Sequence, residues 1–198
     1  VRPAAAVAYA RCDLAAAERD AGNVAASRVL LEDSISRFRE IGDELGAAQA
    51  LGQLGNLLSA ADQAEPAREL HDESLALREA AGDARGIGLS LLAIAVAAAR
   101  TGEPERAWAS AERALTLFDR TDDGPGRASA VMQLGYLAAD AGRLQEAWEL
   151  QERALALWRD FIPDTGWCTT ILLELAQLDA TLGEPERGTG RLRQAAKI

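Results

Sequence analysis

The chain has 198 residues, 48% hydrophobic and 5% aromatic, with 31 acidic against 21 basic side chains and a formal net charge of -10. That balance, with Lys197 the single lysine and arginines interleaved with acids as in Glu105, Arg106, Glu112 and Arg113, excludes a surface for nucleic acid, which needs clustered cations facing phosphates. No apolar run approaches the roughly 20 residues of a membrane span and Val1-Arg-Pro-Ala is not a signal peptide, so no membrane partner and a cytoplasmic location are expected.

Alanine and leucine dominate, and nothing alternates with period two for long enough to make a strand, so the elements read as helices. The first spans about Pro3 to Asp20 and the second Val24 to Ile41, with Gly22 between them. Glu44 to Ala60 and Ala64 to Ala81 form the next pair, with Pro66 in a first turn, where its missing N–H costs nothing. Ala84 to Arg100 and Pro104 to Arg120 follow. Thr121-Asp-Asp-Gly-Pro125 is turn chemistry, after which Gly126 to Gly142 and Arg143 to Trp158 supply a fourth pair. Phe161-Ile-Pro-Asp-Thr-Gly166 is a similar break. The fifth pair starts its second helix at Pro185, after Gly183, and ends on apolar residues that would meet a further neighbour. Together with the start at Val1, that ending predicts a piece of a longer protein.

These pairs are copies of one unit at a step of forty residues. Stepping back from Gly135 gives Ala95, Gly55 and Ala15, and forty-one residues on lies Ala176; all are small. The inter-helix turn recurs as Gly22, Asp62, Gly102, Gly142 and Gly183. Two small positions in the second helix recur as Ser27, Ala67, Ala107, Ala147 and Gly188, then as Ser34, Ser74, Ala114, Ala154 and Ala195. A large residue closes that helix as Phe38, Arg78, Phe118 and Trp158, and the connecting loop repeats as Gly42-Asp43, Gly82-Asp83, Asp122-Asp123 and Pro163-Asp164. Small residues let the two helices of a hairpin approach, while Leu134, Leu137, Leu144, Leu150, Leu155 and Leu157 supply the apolar faces.

Leu134-Gly135-Tyr136, the turn glycine Gly142, Ala147 and Ala154 resemble the signature positions of the tetratricopeptide repeat. The forty-residue step, the phrase Glu152-Arg-Ala-Leu-Ala-Leu-Trp158 and the Gly-Asp loops resemble its long form in LuxR-type and maltose-activator-type bacterial transcriptional regulators and related signalling scaffolds. The resemblance implies an all-α chain, a right-handed α-solenoid of about five antiparallel helix pairs. It would form one domain over residues 1–198, with units of about 1–42, 43–82, 83–122, 123–163 and 164–198. There are departures: the tryptophan early in the first helix and the closing proline are missing. Leu31, His71, Ala111, Gln151 and Leu192 also stand where a large aromatic is usual in the second helix.

Catalytic and cofactor chemistry finds little to work with. His71, the only histidine, excludes a zinc site built on histidines and is expected on the surface of its helix. No Gly-x-x-x-x-Gly-Lys is present, and the paired acids of the loops read as helix caps. Cys12 and Cys168, in the first and last units, are too far apart to bridge and read as small packing residues. Neither an enzyme nor a cofactor is expected.

What remains is a surface. The resemblance implies an inner, concave face lined by the first helices, on which Leu89, Leu92, Val96, Met132, Tyr136 and Leu173 would form an apolar patch. Gln49, Asn56, Arg100, Asp140 and Gln177 would border it. Such a patch either binds a ligand or packs on itself. Two functions follow from the first case: an interaction module for a protein or peptide partner, including another segment of the same polypeptide, or a sensory domain holding a small-molecule effector. Trp108, Trp148 and Trp158 are expected to pack between second helices.

Overall fold

A computed structural model describes residues 2–162 and 166–198, and among these the regular structure is helical, with no strand. The helices are α1 (Arg2–Asp20), α2 (Val24–Ile41), α3 (Glu44–Ala60), α4 (Ala64–Ala81), α5 (Ala84–Arg100), α6 (Pro104–Arg120), α7 (Gly124–Asp140), α8 (Leu144–Phe161), α9 (Gly166–Thr181) and α10 (Pro185–Ala195). One expected turn is corrected. Thr121–Pro125 is not a break throughout, because α7 begins at Gly124 with Pro125 in its first turn and Asp123 as its cap. The Pro163-Asp164 loop lies outside the described residues.

The chain divides into two compact units, residues 1–103 with α1 to α5 and residues 104–198 with α6 to α10. Within each, every helix packs on the next in the chain. The hairpins are antiparallel. In α3 and α4, Ser74 donates to the Ala48 carbonyl at 2.8 Å while the His71 ring lies against Gly55, so one partner recedes as the other advances. Ser34 repeats the Ser74 bond toward Ala8 at 3.3 Å, forty residues earlier, so the hydroxyl at this small position ties the two helices of its hairpin.

The Gly-Asp loops act twice. Gly42 and Gly82 take φ of 72° and 69°, the left-handed geometry that a bare Cα adopts without strain. Asp43, Asp83 and Asp123 then cap the next helix, each accepting from the N–H of Gly46, Gly86 or Gly126 at 2.9–3.0 Å. Those capped glycines also make room for the preceding helix, since a Cβ would come within 2.4 Å of the Phe38 ring at Gly46 and 2.3 Å of Phe118 at Gly126.

In residues 1–103 the core gathers Phe38, Leu31, Ile35, Leu51, Leu54 and Leu57, with Tyr9 edge-on to Phe38 at 4.7 Å and its hydroxyl donating to Asp43. In residues 104–198 it gathers Trp158, Leu155, Ile171, Leu172 and Leu175, with Trp167 stacked on Trp158 at 5.7 Å. Cys12 and Cys168 are fully buried, one in each cluster. The small positions at Gly135 and Ala147 are buried, and a Cβ at Gly135 would meet the Gln151 side chain at 2.8 Å. Gly135→Leu and Ala147→Leu are each expected to cost about 1–3 kcal/mol by overpacking, read as a lower midpoint in urea, whereas Arg153→Leu on the exposed face of α8 leaves it in place.

Candidate functional site

The expected binding residues fall on both units, and each unit has its own surface. In residues 1–103, α3, α4 and α5 line a cavity of about 250 Å³, open to solvent on one side, with Gln49, Gly52, Gln53 and Asn56 from α3, His71 and Arg78 from α4, and Leu89, Ser90 and Ala93 from α5. Gln49, Asn56 and Leu89 were expected on a binding surface. The polar half of the lining was not.

His71 is the main correction. It was expected on the surface, yet it is 1% exposed, because Gly55 lets α3 close over the imidazole. Burial, with the positive charge of Arg78 adding to it against the opposing pull of Asp72, lowers its pKa to about 4, so the ring is neutral at neutral pH. Arg78 lies across the cavity wall, one guanidinium nitrogen near Gly52 and the other near Gly86. Burial also lowers its pKa, and Asp83 counters only in part. His71 Nδ1, Arg78 Nε and Gln53 Oε1 are buried with no hydrogen-bond partner in the chain. The signal that could have found this site is a break in the repeat: Arg78 stands where the other copies bury Phe38, Phe118 and Trp158.

Beside the cavity, α5 presents Leu89 at 46% and Val96 at 38% exposed, with Leu92 half-buried between them. Positions 89, 92 and 96 share one helical face. Asn56 is exposed, Gln49 is half-buried, and Arg100 at the end of α5 donates to Asp62 and the Ser59 carbonyl.

In residues 104–198 the expected surface is partly corrected. Met132 is 8% exposed and belongs to the core cluster with Trp158, Ile171 and Leu172, so it is packing and not open surface. Tyr136 is half-buried, and burial together with the negative charge of Glu174 raises its hydroxyl pKa. Asp140 and Gln177 are exposed, as is Leu173 on α9. The tryptophans were expected between second helices; Trp148 meets the next second helix, through Arg187 and Arg191 of α10, while Trp158 packs on α9. Arg143 stacks over Trp108 at 4.1 Å, and Trp148 donates its indole N–H to Asp179 of α9 at 2.9 Å beneath Arg187 and Arg191 of α10. Among the described residues no group of His, Cys, Asp and Glu is placed to hold a metal, and no helix is long and apolar enough to cross a membrane.

The family model for the tetratricopeptide repeat matches residues 5–80. No curated protein matches the chain. Among solved structures, BtubC (BKLC) from P. vanneervenii superposes with a TM-score of 0.81 at 18% identity, over 98% of this chain and 80% of that one. A putative kinesin light chain from Podosopora anserina, with nearly identical TPR-like repeats, gives 0.74 at 20% identity, over 96% and 92%. A Rap protein complexed with Competence and Sporulation Factor gives 0.86 at 14% identity, over 96% of this chain and 53% of that one. Residues 5–80 therefore match the tetratricopeptide repeat family, and the chain as a whole has the all-helical fold of tetratricopeptide-like repeat proteins.

Proposed function

We propose that the chain is a protein-interaction module that takes a peptide segment of a partner along the inner face of its first helices, with the stripe of exposed Leu89 and Val96 and half-buried Leu92 on α5 as the main anchor site. That stripe carries the reading. A helix of a repeat array that leaves two large aliphatic side chains open, next to the amides of Gln49 and Asn56, offers apolar anchoring with a polar border. In residues 104–198 the same role falls to Leu173, Gln177, Tyr136 and Asp140, without Met132. The net charge of -10 favours a neutral or basic segment over an acidic one. The Rap structure is a precedent for this fold in complex with a factor. We place the module in a bacterial signalling or transcriptional regulator, on the forty-residue form of its repeat. A photo-crosslinking residue at position 89 or 96 is expected to capture a discrete partner in the source cell, while the same residue at Val29, an exposed position on α2, captures none. Equal capture at all three positions contradicts the proposal.

A further inference from the structure

The cavity between α3, α4 and α5 points to a second activity, which goes beyond peptide docking. We infer that it is a binding site for a small free carboxylic acid bearing a hydroxyl or amino group beside the carboxylate, held by Arg78 Nε and His71 Nδ1 on the carboxylate and by Gln53 Oε1 on the donor.

The repeat supplies its own comparison. At the position of Arg78 the other copies bury Phe38, Phe118 and Trp158, and at the position of His71 they carry Leu31, Ala111, Gln151 and Leu192, of which Gln151 is also polar and buried. Apolar side chains therefore serve at both positions in the copies with Phe38 and Phe118, whereas this hairpin places a guanidinium and an imidazole there, at a cost in burial free energy that Asp83 offsets only in part. Both departures fall in one hairpin and face one cavity, joined there by Gln53, and each leaves a polar atom without a partner in the chain. The ligand class follows from those atoms. Arg78 Nε can only donate, so it takes an acceptor, and a buried guanidinium offset only in part by Asp83 favours an anionic one. The Asp83 oxygen Oδ1 is already held by the Gly86 N–H. Neutral His71 with its proton on Nδ1 donates a second bond to the same carboxylate. Gln53 Oε1 accepts, so the ligand carries a donor close to its acid group. A cavity of about 250 Å³, with Leu89 and Ala93 on its wall, is smaller than a drug-sized pocket and suits a compact molecule better than a chain end.

The single histidine makes the test direct, because its imidazole gives one isolated NMR signal. The whole chain is titrated with lactate, malate and glutamate at millimolar concentration, and with lactamide and propionate as the neutral and donor-free counterparts of lactate. At least one hydroxy or amino acid is expected to shift the His71 signal saturably and to raise its pKa, propionate to bind more weakly, and lactamide to do neither. Arg78→Phe, which restores the residue found in two other copies, is expected to fold and to weaken that acid about tenfold or more, the size of a lost hydrogen bond to a charged group. No saturable shift with any of the acids in the wild-type chain overturns the inference, whatever the variant does. Tighter binding of an alanine hexapeptide through its C-terminal carboxylate than of any free acid overturns the assignment to a free molecule. Because no peptide partner enters the main titration, its failure leaves the crosslinking result at positions 89 and 96 to be judged separately.

Discussion

Asp179→Ala is expected to destabilise residues 104–198 by roughly 3–5 kcal/mol, the cost of breaking a buried ion pair from one side. Asp179 is 0% exposed and accepts from Trp148 Nε1 at 2.9 Å, Arg187 Nε at 2.7 Å and Arg191 Nε at 2.6 Å. Arg191 also bonds Glu152 of α8, so these side chains join α8, α9 and α10. Removing the carboxylate leaves the Nε–H of the mostly buried Arg191, which keeps only Glu152, and the Trp148 indole N–H without their acceptor, whereas most exposed pairs, such as Arg28 with Glu32, contribute little. Burial alone would raise the Asp179 pKa; the hydrogen bonds from Arg191 and Trp148 and the charges of Arg191 and Arg187 outweigh it and hold the group below 3.8. A depressed carboxylate stabilises the fold above the unfolded-state value, so this contribution is complete above about pH 4 and is lost as pH falls through the lower folded value. Urea midpoints at pH 7 check the first statement. A loss below about 1 kcal/mol, typical of a surface pair, would remove the network from the account.

The second large effect belongs to His71 and has the opposite chemistry. With a folded pKa of about 4 against 6.5 unfolded, the unfolded chain takes up a proton across that window and the folded chain does not. Stability therefore falls as pH drops from about 6.5 to 4, by about 1.4 kcal/mol per unit and roughly 3 kcal/mol in all. Asp72 and Arg78 are the charged neighbours that act on the ring, and they pull in opposite directions. His71→Gln places in this hairpin the residue that Gln151 supplies against Gly135 in α7 and α8. The variant should lose that slope while keeping the carboxylate titrations below it. Identical slopes for the two proteins between pH 6.5 and 4.5 would mean that the imidazole is hydrated in the fold.

The helices were legible because a repeat states each boundary several times. Gly22, Gly102, Gly142 and Gly183 all take positive φ, and Asp62, read as their equivalent from spacing alone, takes φ of 60°. The end of α7 was legible but its start was not, since Gly124-Pro125 is turn chemistry in isolation and becomes a helix start only once Asp123 caps it. The surface was legible in outline. Leu89 and Val96 are open as expected, but Met132 is not, because whether an inner position stays exposed depends on the bulk of its neighbours, here Trp158, Ile171 and Leu172, and not on its own register. The burial of His71 could not be read from α4 either. It is set by Gly55, a residue of the facing helix, and the cavity is a property of three helices at once.

On the interaction reading, α5 carries a surface kept for a partner and not for the fold. The most direct test pairs two measurements on the double variant Leu89→Ser/Val96→Ser: its urea midpoint, and its affinity for peptides selected on the wild-type chain from a random display library. Since both side chains are already open to solvent, the midpoint should stay near that of wild type while affinity falls by roughly 1–2 kcal/mol per truncated anchor. A large drop in the midpoint with affinity unchanged would make the stripe ordinary packing and contradict the interaction reading.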